Sequence, residues 1–233
     1  MTATSRNARV AGLIYLLLII VGPLRLIYIP NTLFVEGNAA ATAHNIASHE
    51  MLFRLGILAD LIGATGLIFL VLAFYRLFKA VDELQALSVV ILGGVMPATI
   101  YFFNVANDAA ALMLVRGADF LSVFDKPQRE ALAMLFLDLH DQEVTAAEIL
   151  WGLWLFPLAI LAYRSRFFPR FLGVWLVLGG LAYLALSITG ELFPRYQDLV
   201  FRIGSPARLG EMAFMLWLVV MGAKEPPVNA PAA

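Results

Sequence analysis

Asn104, Asn107 and Asp108 stand inside FFNVANDAAALMLV, residues 102–115, where every other side chain is apolar. On a helix of about 3.6 residues per turn, Pro97, Tyr101, Asn104 and Asp108 share one face, with Asn107 to its side. A charged group turned toward hydrocarbon costs about 2.5–3.5 kcal/mol at the centre of a membrane span. Such a stripe is therefore expected to face other helices or a wet cavity. The pattern recurs along the chain. Gly56, Asp60 and Gly63 share a face, with Arg54 nearer the start of the same apolar run. Asp141, Thr145, Glu148 and Gly152 form another stripe, and Gly180, Ser187 and Glu191 a third, with Tyr183 at its edge. Arg208, Glu211 and Met215 align, and Tyr15, Ile19 and Gly22 lead up to Arg25.

Among the carboxyls in these stripes, Asp60, Asp108, Glu148 and Glu211 are the candidates for chemistry. Carboxyls in unlike surroundings can divide acid and base work. The plainer alternative is that Arg54 with Asp60, or Arg208 with Glu211, form neutralised pairs that only fix helix register. Metal binding has less support: no HExxH pair occurs, and His44 and His49 are five apart, a poor fit to one helical face. His140 and Asp141, followed by Glu143 and Glu148, are the weaker metal alternative, so no metal site is assigned. The sequence contains no G-x-S-x-G, P-loop or Rossmann fingerprint. Gly93-Gly94 and Gly179-Gly180 read as helix-packing positions. With no cysteine in the chain, thiolate metal sites, iron–sulfur clusters and disulfides are excluded, and no cofactor is called for.

The elements that hold these stripes follow from composition. Of 233 residues, 61% are hydrophobic and 14% charged, with a mean hydropathy of +0.84. Soluble domains carry roughly 25% charged residues, so lipid must be the solvent for much of this surface. A net charge of −1 offers no basic face for nucleic acid. Six stretches are apolar for the roughly 20 residues a span needs: Val10–Ile29, Met51–Tyr75, Ala86–Leu114, Thr145–Tyr163, Phe171–Gly190 and Ala207–Ala223. No small-x-small cleavage site follows the first, which is read as a retained span. The fold class is all-α, an integral membrane helical bundle with one or two short outer amphipathic helices. Residues 1–223 form a single six-span domain, and 224–233 a disordered tail rich in Pro and Ala.

Two outer helices are expected. In FDKPQREALAMLFLDLH, Asp125 is placed as an N-cap with Gln128 as its capping-box partner, and Leu132, Leu135, Phe136 and Leu139 share a face. NAAATAHNIAS, within the segment from Pro30 to Glu50, is a weaker candidate. Short basic segments at Arg6, Arg9, Arg76, Lys79, Arg164, Arg166, Arg170 and Lys224 favour cytoplasmic N- and C-termini. That orientation puts the polar groups toward the outer ends of the helices. Pro23, Pro97 and Pro157 hint at interrupted spans.

The segment GLWLFPLAILAYRSRFFPRFLGVWLVLGGLAYL, Gly152–Leu184, with FRLGILADLIG at Phe53–Gly63 and ARLGEMAFMLWLVVMGAK near the end, resembles the bacterial family called domain of unknown function 4386. The resemblance implies a six-span bacterial inner-membrane protein and brings no activity, cofactor or site residue. The functional expectation therefore rests on the residues. Arg54, Asp60, Tyr101, Asn104, Asp108, Glu148, Arg208 and Glu211 line a polar cavity in the outer half of the bundle. That cavity binds or transports a small or amphipathic, lipid-like ligand. The alternatives are an intramembrane enzyme acting on a lipid or isoprenoid, and a structural or regulatory partner. The lipid bilayer is the expected surrounding, and a homo-oligomer is compatible with the Gly56/Gly63 face.

Overall fold

The computed structural model describes residues 3–224, so the expected tail lies outside the described residues except for Lys224, whose N–H donates to the Phe167 carbonyl at 3.2 Å. Helices form almost all of this region, and no strand occurs among the described residues. Their order is α1 (Ala3–Pro23), α2 (Ile29–Leu33), α3 (Ala39–Ser48), α4 (Glu50–Phe78) and α5 (Glu83–Val90), then α6 (Met96–Arg116), α7 (Lys126–Leu153), α8 (Leu155–Ser165), α9 (Arg170–Leu192) and α10 (Gln197–Val220). Six continuous helical stretches are long and apolar enough to cross a membrane: Thr4–Leu33, Glu50–Phe78, Glu83–Arg116, Lys126–Ser165, Arg170–Leu192 and Pro194–Val220. Each contains or overlaps one of the six apolar runs in the sequence. The protein is an integral, multi-pass membrane protein.

Three of these stretches are irregular, and proline accounts for each irregularity. A π-helical turn, Leu24–Tyr28, joins α1 to α2, and a second, Ile91–Val95, joins α5 to α6. The Ile29 N–H reaches back to the Leu24 carbonyl, and the Met96 N–H to Ile91. Pro30 and Pro97 come immediately afterwards. A proline ring has no N–H to give and crowds the carbonyl four residues back, and widening the preceding turn relieves the crowding. In the fourth stretch the break falls at Trp154, between α7 and α8, and Pro157 crowds the Leu153 carbonyl where α7 ends.

The chain divides into two compact units. The first comprises residues up to Ile19, Thr65–Ala98 and the chain from Thr145 onward. Its core is aromatic: Phe74, fully buried, packs within 6.1–6.3 Å of the Tyr15, Phe78, Trp154 and Phe214 rings. Glycines let its helices approach closely. A Cβ at Gly180 would lie 2.9 Å from the Gly152 carbonyl oxygen, and one at Gly179 would lie 3.2 Å from that of Ala207. The doubled glycine therefore serves close α7–α9 and α9–α10 packing, with no phosphate role needed. At one edge Arg164 pairs with Asp82 at 2.8 Å. Beyond α8, Arg166 adopts φ +57° and ends the helix, and the Ser165 hydroxyl accepts the Phe167 N–H.

The second unit comprises Ile20–Ala64 and Thr99–Val144. Ile29, Leu33, Ile46, Phe53, Ala111, Leu112, Ala133 and Leu137 form its apolar core. Helices form in both of the segments where short amphipathic ones were expected. The α3 helix starts on Asn38, whose side chain accepts the Ala41 N–H at 3.0 Å. The α7 helix opens with a reciprocal capping box: Gln128 N–H donates to Asp125 Oδ1 at 2.8 Å, and Asp125 N–H to Gln128 Oε1 at 2.9 Å. Substituting Asp125→Ala is expected to lower thermal stability by about 0.5–2 kcal/mol, measured by melting of the variant in detergent. The first four turns of α7 pack only half of the expected face on the core: Leu132 and Phe136 lie against it. Leu135 and Leu139 are exposed, whereas Ala133, Leu137 and His140 turn inward. Apolar side chains lie on both sides of this segment, so hydrophobicity alone does not choose a face.

Candidate functional site

Arg25 is the hub of the second unit's polar chemistry. It lies in the π turn that follows α1 and is 4% exposed. Its stem crosses α4 at Gly56, where an added Cβ would lie 3.5 Å from Arg25 Cδ. One turn further along α4, Arg25 Nε donates to Asp60 Oδ2 at 2.7 Å. Its Nη2 donates to Asp108 Oδ2, on α6, at 2.8 Å. The same nitrogen lies 2.8 Å from each ring nitrogen of His140, on α7. Only the unprotonated ring nitrogen can accept from it. One guanidinium thus gathers side chains from three other helical segments, each at most 5% exposed.

The cluster leaves hydrogen-bonding capacity unused. Asp108 is 1% exposed, yet its Oδ1 receives no hydrogen bond among the described residues. His140 Nδ1 lies 3.1 Å from that oxygen. The two atoms sit side by side, out of line for a hydrogen bond. One turn back on the same α6 face, Asn104 is fully buried and neither of its amide atoms has a hydrogen-bond partner among the described residues. Leaving such a group unpaired costs about 1–3 kcal/mol. One ligand-capable atom from each of Asp60, Asp108 and His140 lies within 4.8 Å of the others, so the set could also hold a metal ion.

The remaining sequence candidates fall elsewhere. Tyr101 is half-buried and packs its ring against Gly63, where an added Cβ would lie 3.7 Å away. Arg54 does not pair with Asp60. It is exposed and bonds Glu50 at 2.7 Å within α4, a surface pair contributing roughly 0–1 kcal/mol. Asp141 is exposed and does not join the triad of His140 with Asp60 and Asp108.

Glu148, Arg208 and Glu211 belong to the first unit. There the Tyr15 hydroxyl donates to Glu211, and Tyr183 makes a second contact to the same carboxyl. Glu148 lies within electrostatic reach of Tyr183. Arg208 turns away from Glu211. It stacks over the Phe201 ring at 4.1 Å and donates to the Phe201 carbonyl at 2.9 Å. The eight candidates therefore divide between two units, each with its own polar group.

Sequence reasoning left Arg25, Tyr15 and Tyr183 out of the candidate set and named His140 only as a weak metal ligand beside Asp141. Charge counting holds the missed signal for Arg25. Asp60 and Asp108 are acids buried within apolar runs, and Arg25 is the basic residue in the first such run. A buried carboxylate needs such a partner.

Comparison with known proteins adds family membership and little chemistry. A family profile described as "Domain of unknown function (DUF4386)" matches residues 10–222. An "Uncharacterized protein" from Archaeoglobus fulgidus (strain ATCC 49558 / DSM 4304 / JCM 9628 / NBRC 100126 / VC-16) is 30% identical over 76 residues, covering 33% of this chain and 44% of the relative. The match thus spans under half the length of that curated relative. No solved structure matches at a significant level.

Proposed function

Because the chain belongs to the DUF4386 family, whose description assigns no activity, its function has to be read from its buried chemistry, and we propose that it binds a small or amphipathic ligand at the Arg25–Asp60–Asp108–His140 cluster. The observation that carries this is the idle Asp108 Oδ1 beside the unpaired Asn104 amide, both buried in an apolar helix. A ligand that satisfies them recovers the roughly 1–3 kcal/mol each unpaired group costs. Intramembrane ionisable groups are also functional by default, because they are expensive to place there.

The setting that goes with this reading is a bacterial inner membrane, as the family resemblance implies, with both termini cytoplasmic, argued from the basic residues of the short segments. On that orientation the cluster falls in the outer half of the spans. The two π turns beside prolines favour a binding or transport role, because interrupted spans are where membrane proteins build sites. A thermal-shift screen of the purified protein against small metabolites and lipids tests this. At least one compound is expected to stabilise the wild type and to lose its effect in Asp108→Asn. A panel whose effects survive both Asp108→Asn and Asn104→Ala refutes the proposal.

One observation favours a second reading, catalysis on a lipid or isoprenoid. Asp60 and Asp108 share one arginine and lie close to an imidazole, as joint acid–base work requires. Under that reading, wild type converts an added lipid to a new product and His140→Ala does not.

A further inference from the structure

From the same cluster we infer a divalent metal site formed by Asp60, Asp108 and His140, with Arg25 as the internal cation that holds the place when no metal is bound. The inference rests on the cluster being a binding site and names the ligand class. Three helices, α4, α6 and α7, each supply one donor, and the donor atoms fall within 4.8 Å of one another. One donor pair, His140 Nδ1 and Asp108 Oδ1, is 3.1 Å apart with no hydrogen bond to the oxygen. Two metal bonds of about 2.0–2.1 Å ending that far apart enclose about 95–102°. This lies between the octahedral and tetrahedral angles. Two ligands of one ion sit side by side in this way, whereas a hydrogen-bonded Asp–His pair points end to end.

Charge supports the same assignment. Two carboxylates face one guanidinium, so the buried group is short of positive charge. A divalent ion bound by two carboxylates and a neutral imidazole is electrically balanced once the Arg25 guanidinium has swung out of the group, and a dry interior favours that balance. Arg25 Nη2 lies 2.8 Å from Asp108 Oδ2 and from both His140 nitrogens, so it competes for the space the ion needs. Metal and guanidinium are mutually exclusive occupants. A mixed carboxylate–imidazole donor set suits Zn²⁺ or Mn²⁺ better than Ca²⁺ or Mg²⁺.

The test uses the full chain without a polyhistidine tag, chelator-treated in detergent, with the exposed His44 and His49 replaced by alanine to remove surface binding. Bound metal is measured by elemental analysis and melting temperature is followed with added Zn²⁺ or Mn²⁺. About one equivalent is expected to bind, with loss of at least tenfold in affinity on His140→Ala or Asp108→Asn. Arg25→Gln is expected to bind at least tenfold more tightly, because the competitor is gone. If Arg25→Gln folds only with metal present, that dependence is itself the expected result. Absence of bound metal in both the parent and Arg25→Gln overturns the site, as does metal binding that His140→Ala leaves unchanged. An organic ligand lost in Asp108→Asn without any metal uptake would sink this inference while leaving the proposed binding function standing.

Discussion

Replacing Arg25 with methionine is expected to destabilise the protein by about 3–5 kcal/mol, the usual cost of removing one partner from a buried ionic group. Methionine preserves much of the stem that crosses Gly56, so packing changes little and the loss is electrostatic. Asp60 Oδ2 and Asp108 Oδ2 would both lose their charge-assisted hydrogen bonds. Neither carboxyl has a solvated route out, being 5% and 1% exposed. The check is reversible unfolding in bicelles, with Arg54→Met as the control. Arg54 is exposed and bonded within its own helix, so its loss should change stability by roughly 0–1 kcal/mol. Adding Asp60→Asn to Arg25→Met should recover part of the loss, because fewer unpaired charges remain. Equal stability of Arg25→Met and Arg54→Met would mean that the guanidinium does not hold the cluster together.

The second large effect is expected at Gly152, in the other unit. A Cβ there would lie 2.7 Å from the Gly180 carbonyl oxygen and 3.1 Å from the Leu184 nitrogen. Both are backbone atoms, so no rotamer change relieves the clash and α7 must move away from α9. Overpacking of this kind costs about 1–3 kcal/mol, and Gly152→Val should fall at or above the upper end. In lipid the exposed apolar surface costs little. The loss is therefore mainly of van der Waals contact along the seam. Gly22→Ala serves as the control, since nothing lies within 4 Å of a Cβ at that position. It should be neutral or stabilising by about 0.5–1 kcal/mol. Thermal melting of the two variants separates a tight helix seam from a general intolerance of lost glycine.

The spans were legible because length and hydrophobicity alone define them in a membrane. The helix start at Asp125 was legible because a capping box is local, its two hydrogen bonds joining residues three apart. Partner choice was not. The bonds that assemble the cluster join residues 35, 83 and 115 apart in sequence, and no local pattern encodes them. Nearness in sequence misled in two places. Arg54 lies six residues from Asp60 but on a different side of α4, where Glu50 takes it. Arg208 lies three residues from Glu211, yet Phe201 and Ser205 hold it and two tyrosines serve the acid. The inward face of α7 was hidden for a related reason. Leu132 and Phe136 of the expected stripe pack on the core while Leu135 and Leu139 do not, and His140 finds its partners on other helices.

The widened turn at Leu24–Tyr28 makes this arrangement sensitive to chain length. Such a turn holds one residue more than regular winding would. Deleting Leu26 would remove that extra residue, and the Pro30 ring would then stand against the Arg25 carbonyl, with no N–H to offer it. It would also rotate Arg25 by about 100° relative to Ile29 and Leu33, leaving two acids without their shared cation. Natural variants that shorten this segment by a single codon should therefore still insert as a helix, kinked at Pro30, while losing whatever the buried acids do.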